Sequence, residues 1–168
     1  IGKLLVWDSC DSAAWDKLYK VKLFKGRRYP FGVLHEDLNF TSKLFSESDK
    51  IVLTGMPLYN YLIRENSICN KPFTTQKFDI YEQAKLNCQF VRDTYKELEE
   101  KAKYFLFRCT CTLLRSASDA AQISEKDLKR VKELARTQLS TAILNRFVPL
   151  GERKYYFELL YKVCIKKK

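Results

Sequence analysis

The sequence predicts a mostly α chain with a small β portion, an α+β fold. Three observations predict it. From Ile80 to Leu113, apolar residues recur at steps of three and four with no Gly or Pro between them, the period of an amphipathic helix. Short runs rich in β-forming residues occur at 3–7, 51–54 and 58–63, all in the first 73 residues. Most of the turn punctuation (Gly26, Pro30, Gly32, Gly55, Pro57, Pro72) falls in that same stretch.

Residues 3–7 read as a short buried strand. Residues 16–24 read as a helix, with Trp15, Leu18, Tyr19 and Leu23 at helical spacing. Gly26 ends it, and Pro30 with Gly32 marks a turn. Residues 36–46 read as a second helix with Phe40, Leu44 and Phe45 on one face. The runs 51–54 and 58–63, separated by Gly55 and Pro57, read as paired strands, and 66–75 as loop. The stripe Ile80, Ala84, Cys88, Val91, Tyr95, Leu98, Ala102, Phe105, Cys109, Leu113 fits one long helix or two with a break near Glu99. Ser124 opens the next helix, with Leu128, Val131, Ala135, Leu139 and Ile143 on one side. Pro149 and Gly151 break it, and 152–165 forms the last helix. The expected organisation is a small α/β segment, 1–73, followed by an antiparallel helical bundle, 74–168.

The chain has 168 residues, 46% of them apolar, enough for one core. Eleven Phe and ten Tyr exclude a disordered polypeptide. There is no run of eighteen apolar residues, so no transmembrane segment is expected. Net charge is +11, of which 1–73 carry +3 and 74–168 carry +8. Such an excess favours anionic partners, whether nucleic acid, acidic lipid or a sugar nucleotide. No nucleic-acid motif accompanies it, and most charges read as solvated helix faces, apart from the block Lys166-Lys167-Lys168. The six Cys form no Cys-x-x-Cys pair and His35 is the lone histidine, so no zinc site is expected. Buried reduced thiols in a cytoplasmic protein are the plain reading.

A set of short motifs carries the functional signal. They are Trp15-Asp16-Lys17-Leu18-Tyr19-Lys20, Pro30-Phe31-Gly32, His35-Glu36-Asp37, Pro57-Leu58-Tyr59-Asn60-Tyr61, Arg64 and Asn66-Ser67-Ile68. In order and spacing this stretch resembles the acceptor-side second half of the catalytic domain of family 2 glycosyltransferases of the GT-A type. The resemblance implies a partial GT-A acceptor half followed by the helical extension. It implies an inverting sugar transfer in which Asp37 is the base, with Glu36 beside it. His35 would line the acceptor pocket or touch the diphosphate, and Arg64 would clamp the donor diphosphate. Lys17, Tyr19, Asp16 and Trp15 would contact substrate. Two positions depart from the family pattern: Asp16 stands for the usual Asn, and Leu62 for a second Arg.

The resemblance also implies parts that this sequence lacks. Family members begin with a nucleotide-binding half that ends in Asp-x-Asp, which holds Mn or Mg on a nucleotide sugar. Here Glu125-Lys126-Asp127, behind Ser124, reads instead as a helix cap. The expectation is a C-terminal part of a longer cytoplasmic enzyme, peripheral to the inner face of a membrane and inactive alone. Its partners would be the missing nucleotide-binding half and a glycan or glycoprotein acceptor. The aromatic surplus of the tail predicts a homo-oligomer, most simply a twofold dimer. The alternative is a non-catalytic module for acceptor recognition or oligomerisation.

Overall fold

The computed structural model describes residues 1–62 and 72–165. Among them every regular element is helical. The α-helices are α1 (Gly2–Leu5), α2 (Asp37–Ser46), α3 (Asp79–Thr94), α4 (Glu99–Asp119), α5 (Glu125–Arg136), α6 (Leu139–Leu144) and α7 (Leu150–Ile165). Short 3₁₀ turns occupy Val21–Phe24, Thr75–Phe78 and Lys96–Leu98.

α4 is the axis of the molecule, and α1, α3, α5, α6 and α7 all pack on it. Its apolar positions explain why. Ala102, Phe105, Cys109 and Leu113 follow helical steps, and Phe107, Leu114 and Ala117 extend the buried surface around the helix. Each large side chain buried here contributes roughly 1.5–3 kcal/mol. α3 stops where Tyr95 leaves helical geometry at φ −138° and ψ 74°. One 3₁₀ turn follows, and α4 begins at Glu99, so the long stripe is two helices folded on each other.

Several local signals act as the sequence implies. The Ser124 hydroxyl accepts the Asp127 backbone N–H at 3.1 Å and caps α5. Glu125-Lys126-Asp127 is therefore the first turn of a helix. Arg130 of α5 reaches Glu82 of α3 at 2.9 Å and lies 4.2 Å over the Phe78 ring. Tyr156 of α7 is fully buried and donates to Ala135 O at 2.6 Å, joining α7 to α5.

The α+β expectation and the partial GT-A half are overturned, because the described residues contain no strand. Residues 3–7 form helix α1 and the turn after it, with Leu4 and Leu5 buried. Leucine and lysine are good helix formers, and α4 offers a helical surface for the two leucines. The segment 51–62 has no ladder partner among the described residues, and residue 63 lies outside them. Its Leu58 amide turns back to Met56 O at 2.9 Å, and Val52, Leu58 and Leu62 are exposed. β-propensity describes fit to a half-buried pleated surface, and a lone hairpin is marginal without one. The helix expected at 16–24 shrinks to the 3₁₀ turn Val21–Phe24. Its periodic Leu18 faces solvent, so no core holds the longer helix. The helix expected through residue 143 is split into α5 and α6 at Thr137 and Gln138.

Candidate functional site

The head of α2 is where the motif residues meet the rest of the chain. His35 takes a left-handed backbone conformation, φ 58°, and Asp37 is the first residue of the helix. The Leu34 amide donates to the Asp79 carboxylate at 2.9 Å, which fixes this loop to the start of α3. A second loop faces it. Trp7 and Ser9 also have positive φ, 53° and 65°, and turn the chain sharply after α1. The Asp11 carboxylate then accepts the Ala13 amide at 2.8 Å, an Asx-type turn. Buried Thr41 of α2 donates to Ser12 O at 2.8 Å and holds this second loop against the helix.

Between the two lies an open groove of about 520 Å³, lined by Trp7, Cys10, Asp11, Asp16, His35 and Asp37 among others. The Asp37 carboxyl is pushed up to about 6, by burial first and by the neighbouring Glu36 second. The backbone amides of Asp37 and Leu38 pull it down, as a helix N-terminus does, but they do not outweigh burial. Burial and Lys77 hold His35 below the ordinary histidine value, against Glu36 and Asp79. At neutral pH the groove thus holds an uncharged imidazole beside a mostly ionised carboxylate whose basicity is raised.

The other motif residues are dispersed around the groove. Asp16 lines the groove, but its carboxylate is 2.5 Å from Lys17 Nζ. Lys17 is committed to the loop: it also binds Asp11 at 3.3 Å and Ala13 O at 2.6 Å, and only 13% of its side chain is exposed. Tyr19 packs below α2 in a ring cluster with Phe24, Tyr29 and Phe40. The Tyr19 and Tyr29 hydroxyls are buried side by side without a partner in hydrogen-bond geometry, and burial pushes Tyr29 up to about 12. Trp15 lies outside the groove lining and stacks on Tyr59 and Tyr61, with ring centroids at 4.5 and 5.2 Å. All three rings stay about half exposed. Arg64, Asn66, Ser67 and Ile68 lie outside the described residues.

The groove does not fit a divalent metal. Asp11 and Asp16 share the single ammonium of Lys17, and among the described residues no three His, Cys, Asp or Glu side chains gather as a ligand set. Sequence reasoning missed Cys10, Asp11 and Ser12, and left Trp7 open between stacking on a sugar ring and plain core. The usable signal was the run of small and polar residues from Asp8 to Ser12, which marks a loop.

The chain is 39% identical over 56 residues, 33% of its length, to the protein named Glycosyltransferase GlyA of Streptococcus pneumoniae serotype 4. The matched stretch spans 8% of that relative's length. This likeness supports a relationship to glycosyltransferases. No family model matches the chain. No solved structure matches it.

Proposed function

We propose that this chain is the acceptor-side portion of an inverting family 2 glycosyltransferase, with Asp37 as the catalytic base. The observation that carries the reading is the raised, half-buried Asp37 carboxyl opening onto a groove large enough for a sugar ring. In the reaction, the Asp37 carboxylate takes the proton of an acceptor hydroxyl. The oxygen attacks the anomeric carbon of a nucleotide sugar, the bond to the diphosphate breaks, and the diphosphate leaves with the electron pair. A base whose pKa lies near the working pH combines ionisation with proton affinity. Neutral His35 donates or accepts a hydrogen bond on the acceptor, and Asp16 accepts one at the groove wall. The open faces of Trp15, Tyr59 and Tyr61 suit the apolar face of a further sugar ring of a glycan or glycoprotein acceptor. Donor binding and any metal belong to another part of a longer cytoplasmic enzyme. Lys17 acts here by keeping the loop of Asp11 and Asp16 in place.

The test is Asp37→Asn in the longer enzyme. Turnover falls by about 10²–10⁴-fold while donor affinity is unchanged. Near-normal turnover removes Asp37 from the reaction. A purely acceptor-binding module fits the same groove, because nothing donor-specific lines it. That reading requires Asp37→Asn to leave the activity of the whole enzyme intact.

A further inference from the structure

α7 carries apolar side chains on two opposite faces. Tyr156, Leu159 and Val163 are buried in the bundle. At 100° per residue, Leu150, Lys154, Tyr161 and Ile165 fall on the side away from them, with Phe157 and Glu158 on its two flanks and Cys164 further round. The large apolar members of that side are open to solvent: Phe157 at 42%, Tyr161 at 66%, Ile165 at 56% and Leu150 at 83%. The stripe runs roughly 20 Å along the surface.

The charge around it is predominantly positive. Lys154 and Lys162 stand exposed on the same helix. Lys132 of α5 reaches the end of α7, 3.4 Å from Cys164 O. The sequence continues as Lys166-Lys167-Lys168. Glu152, the first-turn acid of α7, is turned inward to the Tyr104 hydroxyl at 3.0 Å. Glu158, next to Lys154 at 4.0 Å, is the one acid on this side of α7 among the described residues.

We propose that this face of α7 is a contact surface for an anionic phospholipid bilayer. An apolar stripe with aromatic rings and a lysine rim suits the headgroup boundary, where rings sit between acyl chains and water and lysines meet lipid phosphates. A second copy of the chain fits less well, since a twofold contact sets lysine rim against lysine rim between molecules of net charge +11. No helix among the described residues is long and apolar enough to cross a membrane, so the contact is interfacial. The inference stands apart from the sugar-transfer reading.

The test is co-sedimentation of the 168-residue chain with vesicles of phosphatidylcholine and phosphatidylglycerol at 3:1, against pure phosphatidylcholine. The chain partitions onto the anionic vesicles and not the neutral ones, and added salt weakens binding. Phe157→Asp with Tyr161→Asp lowers partitioning at least about tenfold with unchanged far-ultraviolet circular dichroism, because both side chains face solvent. Lys154→Gln lowers it roughly fivefold. Failure to bind anionic vesicles, equal binding to neutral ones, or indifference to the double substitution overturns the proposal. So does a dimer, seen by light scattering, that the same double substitution dissolves.

Discussion

The Asp37 carboxyl, pushed up to about 6 from an ordinary value of 3.8, ties basicity to a loss of stability. A carboxyl with a raised folded-state pKa binds more protons folded than unfolded between those two values, so stability falls as pH rises through the window. The groups bearing on it are Glu36 and Asp11, both of which add to the effect. Asp37→Asn should therefore stabilise the chain at pH 7, by on the order of 1 kcal/mol after allowing for the open side of the groove. The gain should vanish near pH 4, where the native carboxyl is protonated. Thermal melts of both proteins at the two pH values check this. Equal melting points at pH 7 would show that the carboxyl is not strained. The same titration sets the acid limb of activity in the longer enzyme, with turnover dropping as pH falls below about 6. The motif pattern made His35, Glu36 and Asp37 legible as neighbours, because they share one short loop and one helix start, whereas Asp16 reaches the groove from the facing loop. It could not tell that Lys17 and Tyr19 face inward. A side chain's direction depends on the chain reversals at Trp7 and Ser9, and neither residue advertises a positive φ.

At the scale of elements, legibility followed the length of the pattern. The stripe from Ile80 to Leu113 repeats over many turns, so its helical character was readable, while the period alone left one long helix and two with a break near Glu99 equally open. Ser124 marks a start with its own chemistry, and Ser124→Ala should cost about 1 kcal/mol, measured as a lower urea midpoint with unchanged slope. Tyr156→Phe probes the joint of α5 and α7 in the same way. It removes a buried 2.6 Å hydrogen bond and leaves the Ala135 carbonyl with the Gln138 amide as its remaining donor, a loss of roughly 1 kcal/mol. If either substitution left the midpoint unmoved, the bond would be idle in solution. The short runs misled because four or five apolar residues do not fix a period. At 3–7 a helical surface on α4 decided the outcome, and at 51–62 the apolar side chains stay exposed with no ladder among the described residues.

Across the whole molecule, stability is concentrated on α4 and thins toward the N-terminal loops. Phe105 is fully buried on the helix that α1, α3, α5, α6 and α7 all touch. The segment 51–62 shows the opposite condition. Ile51, Val52, Leu53, Met56, Leu58 and Leu62 are largely exposed, and its described backbone bonds are local ones around Met56. Among the described residues it is tied by the stack of Tyr59 and Tyr61 on Trp15, itself half exposed. Exposed backbone without ladder bonds opens at almost no free-energy cost, whereas amides of a central helix open only with the fold. Limited chymotrypsin treatment should therefore cut first at Leu58, Tyr59, Tyr61 or Leu62. The segment around 79–165 should persist longest, since its helices α3 to α7 share one core. Hydrogen exchange should place the slowest amides in α4, near Phe105 and Leu113. Trp15→Ala removes the ring on which Tyr59 and Tyr61 rest, and should raise the rate of the first cut several-fold without changing exchange in α4. First cleavage within α4, or a rate indifferent to Trp15→Ala, would mean that the aromatic stack does not hold this segment and that stability is spread evenly along the chain.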